Sequence, residues 1–408
     1  MKKLYSLLLL FLLCGSIKAQ TINLPANGNL ADTISKLTAG TYVINLPAGS
    51  TYAGPGVTIT VPLNVNLTIN GPADGVKPII QYKLFDVTDN TSTAISFNNV
   101  ELTCGTLITS DQYLFNFGTA RICTMTKIEF KNCVIRDFLR SVVRSQATTQ
   151  VINEVIFDNC IIKNIGIQDA QNYALINGAG EIKKITIKNS TLTNMVKGFI
   201  DLKNVGADEI NILDCTFNNN IVDTRSFINL QSSITKTALA LNVTNTIFGS
   251  SKQTANGVTG INNLATTLVI TQTVTNSFKT SDWILVSGDF NNLTAYSGAS
   301  TALFTDPATG VFTFLDAGFA GKTTAGDPRW RSATTDIRPI ENTKRIRVLS
   351  HAIEVDAEIA EISLYDLHGR LLKRAVGSQI STEELHSGLY IVSVFSEGKR
   401  FTTKFVKR

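Results

Sequence analysis

The sequence of 408 residues is poor in histidine: it has three, at His351, His368 and His386, all close to the C-terminal end. Residues 20–330 contain none. A region without histidine cannot run a Ser-His-Asp or Cys-His mechanism, and it cannot build a histidine-ligated zinc or iron site. These chemistries are therefore excluded from this region.

Cysteine is also scarce, with six residues in all and no Cys-x-x-Cys pair. Cys14 falls in the apolar N-terminal segment, and an odd number remains beyond it. A disulfide framework is therefore not expected. One pairing stays open, between Cys104 and Cys123, because nothing in the sequence fixes their distance.

Long apolar runs are absent except for Leu4–Leu13, which follows two lysines and precedes the small residues of 15–19. Ten residues are too few to cross a bilayer, which takes about 20. The pattern predicts a signal peptide over residues 1–19 with cleavage near Ala19, and therefore an exported protein. Leu13 stands where a lipoprotein signal would have a small residue before Cys14. No membrane-spanning segment is expected.

The excess of positive charge lies at the two ends of the chain. Of 37 basic and 32 acidic side chains, three basic ones lie in residues 1–19, and twelve basic and nine acidic ones lie in residues 337–408. The remaining 22 basic and 23 acidic side chains leave the body almost neutral. Nucleic acid is therefore not expected as a partner.

An internal repeat organises the body. Segments such as Ile128-Glu-Phe-Lys-Asn-Cys133 and Val155-Ile-Phe-Asp-Asn-Cys160 align without gaps, and their first and third positions are apolar. This period of two predicts strands with one buried face. Each repeat carries one amide or carboxylate marker, predicted to lie at a corner between two strands: Asn99, Asn132, Asn159, Asn189, Asp214, Asn245 and Gln272.

A third strand recurs later in each repeat, as in Leu114-Phe-Asn-Phe117 and Phe199-Ile-Asp-Leu202. Column chemistry kept over successive units indicates a solenoid rather than a sandwich. The sequence therefore predicts an all-β protein with a right-handed, single-stranded parallel β-helix over residues 20–330. Residues 20–40 would form an N-terminal cap with a short helix near 29–37.

Residues 331–340 are predicted to be a linker, and 341–408 a small antiparallel β-sandwich with glycine turns. The stretch Phe319-Ala-Gly-Lys-Thr-Thr-Ala-Gly-Asp-Pro-Arg-Trp330 resembles the end of secreted pectate-lyase-like β-helix proteins of unassigned activity. The tail, with Ile362–Leu371, Leu385–Val394 and Gly398–Arg408, resembles the type IX secretion system C-terminal sorting domain. That resemblance implies contact with the type IX machinery, and a secreted or outer-surface location.

Two polar columns are interpreted as structural. Stacked corner asparagines can hydrogen-bond one another and the turn backbone. Cys133, Cys160 and Cys215 share their column with Ser190 and Thr246, which indicates one ladder of small buried residues rather than a metal site.

A third column is the candidate binding surface. It runs along the third strands on the outer face, next to a locally basic stretch, residues 121–144. Paired guanidinium–carboxylate contacts there would hold an acidic polysaccharide. The candidate polysaccharide-binding residues are Asn116, Arg136, Arg140, Arg144, Asn177, Asp201 and Asn229, and the same column continues to Asn262.

β-Elimination on a uronic-acid polymer needs a base for the proton alpha to the carboxylate, and positive charge to hold the enolate. Arg144, Asp201 and Lys203 are the candidate catalytic residues. No cofactor is evident from the sequence, and calcium would enter only if the protein is a lyase, where it could supply the positive charge in place of arginine or lysine. Two functions stay open: a polysaccharide-binding protein that also cleaves acidic polymers, and a non-catalytic adhesin or glycan-capture module.

Overall fold

The computed structural model describes residues 19–54, 56–105, 112–166, 173–220, 226–251, 258–332, 346–349, 351–355, 360–366, 369–396 and 399–407. The predicted signal peptide and most of the predicted linker lie outside these residues. The chain forms two compact units, divided between residues 333 and 334.

The first unit is a parallel β-solenoid of about eight turns. Each turn contributes one strand to each of three parallel sheets. Sheet A has ten strands: β1 (Gln20–Asn23), β2 (Gly40–Asn45), β5 (Val65–Asn70), β8 (Asn90–Asn98), β11 (Cys123–Lys131), β14 (Val151–Asp158), β17 (Glu181–Lys188), β20 (Glu209–Leu213), β23 (Ala238–Thr244) and β26 (Val269–Thr275).

Sheet B also has ten strands: β3 (Thr51–Ala53), β6 (Ile79–Gln81), β9 (Glu101–Thr103), β12 (Val134–Phe138), β15 (Ile161–Ile165), β18 (Thr191–Met195), β21 (Thr216–Asn218), β24 (Ile247–Phe248), β27 (Phe278–Lys279) and β28 (Thr294–Ala295). Sheet C has eight: β4 (Thr58–Val61), β7 (Leu84–Val87), β10 (Phe115–Phe117), β13 (Val143–Ser145), β16 (Ile176–Gly178), β19 (Ile200–Leu202), β22 (Ser226–Leu230) and β25 (Thr259–Asn263).

The solenoid formed by the successive turns is called the coil below. Alternation of apolar and polar residues along each strand places one apolar column inside it. Ile95, Ile128 and Val155 lie in register in sheet A and are fully buried. Two residues on, the rings of Phe97, Phe130 and Phe157 stack with centroids 5.5 and 4.9 Å apart. Such ladders bury a continuous apolar interior, which is the main source of stability in a solenoid. The predicted parallel β-helix is confirmed.

The marker residues lie at the corner between sheets A and B, as predicted. Most of them adopt a left-handed backbone, with φ of 51 to 57° from Asn99 to Asn245. Asparagine and aspartate tolerate this region better than other non-glycine residues. Their amides form a ladder: Asn132 donates to Asn99 at 2.7 Å, and Asn245 donates to Asp214 at 3.0 Å.

The last marker was wrong. Leu241 pairs with Gln272, and the corner residue of that turn is Asn276, with φ 44° and a 2.8 Å bond to Asn245. The sequence alignment was displaced by four residues. An even displacement keeps every side chain on its face, so the apolar pattern alone cannot detect it.

The cysteine column has a polar role beyond packing. Cys215 donates through its thiol to the carbonyl of Leu213 at 3.2 Å, two residues earlier. Ser190 and Thr246 make the same bond with hydroxyl groups, at 2.6 and 3.0 Å. Each of these side chains gives a second hydrogen bond to a corner carbonyl that already accepts a backbone amide from the preceding turn. A carbonyl oxygen has two lone pairs, so cysteine, serine and threonine can share this role in the column.

Short elements cover the ends of the coil. Helix α1 (Leu30–Ser35) begins at Asn29, whose side chain accepts a bond from the Asp32 amide at 3.0 Å. At the other end, helix α2 (Ser300–Leu303) precedes an antiparallel hairpin of β29 (Phe304–Asp306) and β30 (Val311–Phe314). Residues 283–286 form no strand. The Val286 amide donates to the Val258 carbonyl at 2.8 Å, and the neighbouring Ser287 makes an isolated parallel bridge with Thr259 of β25.

The Ala-Gly-Asp-Pro-Arg-Trp stretch forms a strap, residues 325–331, that lies along the corner ladder. The Asp327 amide donates to the Thr216 hydroxyl at 2.9 Å, and Arg329 donates to the Asn159 side chain at 2.6 Å. Gly326 has φ 80°, and a Cβ there would lie 2.8 Å from the Thr216 hydroxyl. The strap thus joins successive turns from one side.

The second unit is antiparallel. One sheet contains β31 (Ile346–Val348), β32 (Ala352–Val355) and β35 (Gln379–Ser381). The other contains β33 (Ala360–Tyr365), β34 (Leu371–Gly377), β36 (Gly388–Ser396) and β37 (Lys399–Lys407). Its buried core includes Ile353, Ile362, Leu364 and Val392.

Candidate functional site

The candidate binding residues of the third strands form one column on sheet C. Register pairs Asn116 with Arg144, Arg144 with Asn177, and Asn177 with Asp201. The column then continues to Asn229 and Asn262. These six residues are called the polar column below. Successive members lie about 4.8 Å apart, so Arg144 and Asp201 are on the order of 10 Å apart.

Arg144 is held by an aromatic side chain. Its Nη1 donates to the Tyr113 hydroxyl at 2.6 Å, and its guanidinium lies 5.2 Å from the centre of that ring. Arg140 also donates to the Tyr113 hydroxyl, at 2.9 Å, and lies 4.8 Å from the centre of the Tyr173 ring. The two rings meet edge to face at 5.8 Å. The arrangement fixes two guanidinium groups beside β10 and β13.

Tyr113 is 1% exposed, and its surroundings act on its ionisation in opposite directions. Burial disfavours the phenolate and raises the pKa of Tyr113 to about 12, although the neighbouring positive charge of Arg144 opposes the rise. Tyr113 therefore remains a neutral hydroxyl at physiological pH. It orients Arg144 and is not a candidate base.

Asp201 is 6% exposed and lies at the end of an amide ladder. Asn262 donates to Asn229 at 2.8 Å, and Asn229 donates to Asp201 Oδ1 at 2.9 Å. Gln231 donates to the same oxygen at 2.9 Å. The carboxylate is thus held in place by two amide donors.

The other candidate residues lie near these two to different degrees. Asn177 is 7% exposed, between Arg144 and Asp201. Asn116 accepts a bond from Gln146 at 2.8 Å. Lys203 follows β19 directly, is half-buried, and donates through its backbone amide to Gly178 at 2.8 Å.

Arg136 does not lie in the column. It belongs to β12 in sheet B, where its guanidinium pairs with Glu101 and Asp137 at 2.5 Å. The basic stretch that suggested it is divided among the sheets, and at least three of its six basic side chains form ion pairs. Arg121 pairs with Asp86 at 3.1 Å, and Lys127 with Glu129 at 2.7 Å. Charges adjacent in sequence are separated here because the chain turns corners between them.

Sequence reasoning missed Tyr113 and Tyr173. Both precede third strands, in Gln112-Tyr113-Leu114 and Asn172-Tyr173-Ala174. This recurring amide-tyrosine pair, which also occurs as Gln81-Tyr82 before β7, was the available signal. A feature shared by three of about eight turns does not stand out from the repeat.

Neither a reactive thiol site nor a metal site is found in the part of the chain that the structure describes. Cys104 and Cys123 are both buried free thiols, so the disulfide left open above does not form. Burial raises their pKa values, to about 12 for Cys104 and about 11 for Cys123. Within the described ranges, no group of three or more histidine, cysteine, aspartate or glutamate side chains is placed to hold a metal ion.

Three family models match the chain. Residues 48–195 match a domain of unknown function (DUF4957), and residues 210–330 match another (DUF5123). Residues 346–408 match the secretion system C-terminal sorting domain. No curated protein and no solved structure matches significantly.

The sorting domain identifies the export route of the protein. The chain is a β-helix protein exported by the type IX secretion system to the cell surface or the medium. Its tail interacts with the secretion machinery. Among the described helices, none has the length and apolar character needed to cross a membrane.

Proposed function

We propose that this exported protein binds polysaccharide along the polar column of sheet C. The observation that carries the proposal is the column itself. Six polar side chains in register, among them a fixed guanidinium and a fixed carboxylate, offer a polymer regularly spaced hydrogen-bonding groups. A polymer with repeating hydroxyl groups matches a surface that repeats every 4.8 Å or so.

Arg144 supplies the strongest single contact in the proposal. A guanidinium has five N–H donors in a planar fork, and Tyr113 takes one of them. The remaining donors suit a carboxylate or sulfate on the glycan, bound by two parallel bonds. Arg140 adds positive charge beside it, and the tyrosine rings keep both guanidiniums in place.

Lyase activity is the second candidate. It is favoured by one observation: Arg144 and the carboxylate of Asp201 lie in the same column, so one bound polymer reaches both. In this scheme Arg144 anchors the polymer through one acidic group, and at a sugar about two strands along Asp201 is the base for the proton alpha to the carboxylate while Lys203 holds the enolate. Calcium would supply further positive charge at the substrate carboxylate. A non-catalytic adhesin or glycan-capture module uses the same surface for binding alone.

Binding and cleavage are separated by one set of measurements on the mature protein. Calorimetric titration with acidic and neutral polysaccharides reports binding, and the ultraviolet absorbance of unsaturated uronates, with and without calcium, reports elimination. Arg144→Gln is expected to weaken binding to acidic glycans by about tenfold. The matched control is Arg136→Gln, which removes a guanidinium from sheet B. Equal losses in the two variants, or no binding across the panel, would reject the column as the site.

A further inference from the structure

We infer that the polar column selects glycans whose acidic groups are widely spaced, with at least two uncharged sugars between them, over polyuronides that carry a carboxylate on every sugar. The inference rests on the proposed function, because it presumes that a polymer lies along the column. It concerns which polymer fits. The reason is the negative charge of Asp201, which plays no part when a glycan contacts Arg144 alone.

Both charges of the column are fixed in position. The guanidinium of Arg144 is tied to the Tyr113 hydroxyl at 2.6 Å. The carboxylate of Asp201 receives two amide bonds of 2.9 Å on one oxygen. Neither side chain can turn away from a ligand without breaking these bonds. A ligand must therefore accommodate both charges where they stand.

Comparable carboxylates of this unit have a neutralising partner, and Asp201 has none among the described residues. Other amide ladders end on Asp137, Asp158 and Asp214. Each of those carboxylates forms an ion pair, with Arg136, Lys188 and Arg331 respectively. Within the described ranges, no lysine or arginine is ion-paired with Asp201. Since its residue is 6% exposed, its negative charge is weakly screened by solvent.

The spacing converts these charges into selectivity. The strand positions of Arg144 and Asp201 are two rungs apart, where one rung is the spacing of successive turns, so they are separated by about 10 Å. A sugar in an extended polymer is about as long as one rung. A polymer with an acidic group on every sugar, or on every second sugar, that binds Arg144 also places an acidic group over Asp201. That like-charge contact opposes binding, and only a more widely spaced polymer avoids it.

A series of linear glycans that differ in charge spacing tests the inference. Soluble oligosaccharides of polygalacturonate, hyaluronate and deacylated gellan carry a carboxylate on every sugar, every second sugar and every fourth sugar. We expect the mature protein to bind the gellan fragment at least about tenfold more tightly than the other two. Asp201→Asn keeps an oxygen for both amide donors but removes the charge. This variant is expected to bind polygalacturonate about tenfold more tightly than wild type does, so that only a small preference for the gellan fragment remains.

The controls separate this inference from the proposed function. Glu129→Gln removes a carboxylate from the outer face of sheet A and is expected to change none of the affinities. Thermal unfolding of Asp201→Asn checks that the coil is intact. If all three glycans bind equally, or polygalacturonate binds best, the inference is overturned while the proposed function stands. The inference is also overturned if Asp201→Asn retains the full preference. If none of them binds, the proposed function falls and the inference falls with it.

Discussion

The carboxylate of Asp327 accepts a 2.6 Å hydrogen bond from the hydroxyl of Thr191, although the two residues are 136 positions apart in the sequence. The same hydroxyl accepts a bond from the Trp330 indole at 2.7 Å. Thr191 lies in β18 and Asp327 lies in the strap. This contact gives the Ala-Gly-Asp-Pro-Arg-Trp stretch a role that its sequence does not reveal, which is to fasten the C-terminal end of the unit to turns deep within the coil.

Asp327→Ala is therefore expected to lower the free energy of unfolding by about 2–3 kcal/mol, because it leaves Thr191 and Arg329 without their buried acceptor. Urea unfolding followed by far-ultraviolet circular dichroism measures the change. The matched control is Asp306→Ala in the exposed hairpin, which should change stability by less than about 0.5 kcal/mol. Equal effects of the two substitutions would mean that the strap adds nothing to the stability of the coil.

At the corner asparagines, glycine should be a less destabilising replacement than alanine, which is the reverse of the usual order within a strand or helix. Asn189 has φ 52° and donates to Asp158 at 2.9 Å. Asn189→Gly and Asn189→Ala both lose the amide, but only glycine adopts this backbone without steric cost. The alanine variant should be less stable than the glycine variant by about 1 kcal/mol. An alanine variant as stable as the glycine variant would contradict the left-handed corner.

Repetition explains which parts of the fold the sequence predicts. The first corner markers, from Asn99 to Asn245, recur with apolar alternation and so predict strands, corners and the coil. Gln272 was wrong because alternation survives an even shift, and only the left-handed corner at Asn276 fixes the register. Arg136 was misplaced because neighbours in sequence fall on different sheets. Such errors arise where the signal depends on a single turn.

The candidate site depends on features that do not repeat, so the sequence predicts less of it. The polar column followed from the third strands. The contact of Tyr113 with two guanidiniums did not, because an amide-tyrosine pair at only some of the turns gives no regular column. Nor does the sequence reveal that Asp201 forms no ion pair within the described ranges, since that depends on which side chains the coil brings to each turn.

The thiol of Cys215 supports a prediction about the corner column. Cys215→Ser keeps a donor for the Leu213 carbonyl, as Ser190 does for Lys188, and should leave stability nearly unchanged. Cys215→Ala removes the thiol donor, leaves that carbonyl with only the backbone amide of Asn189, and should cost about 1 kcal/mol in urea unfolding. Burial also raises the pKa of Cys215, so the thiol should not react with a thiol reagent until the coil unfolds. A serine variant that is as unstable as the alanine variant would show that volume, not donation, determines the column.

Tyr113 makes the stability of the coil sensitive to high pH. Its pKa is raised to about 12 by burial, whereas an exposed tyrosine in the unfolded chain has a pKa of about 10. Because the folded state holds the phenolic proton more tightly, the stability from Tyr113 is fully present below pH 10 and is lost as the pH rises toward 12.

The variant Tyr113→Phe cannot ionise at this position. The free energy of unfolding of the wild type should therefore fall by about 1 kcal/mol relative to that of this variant between pH 9 and pH 11. Urea unfolding of both proteins at the two pH values measures this difference, because the contributions of the other tyrosines and of the lysines are common to both proteins and cancel. At neutral pH, Tyr113→Phe also releases Arg144, and glycan affinity should fall by several-fold with little change in fold. A variant that shows the same pH dependence as wild type would mean that the phenol is not in the buried contact with Arg140 and Arg144 that the structure describes.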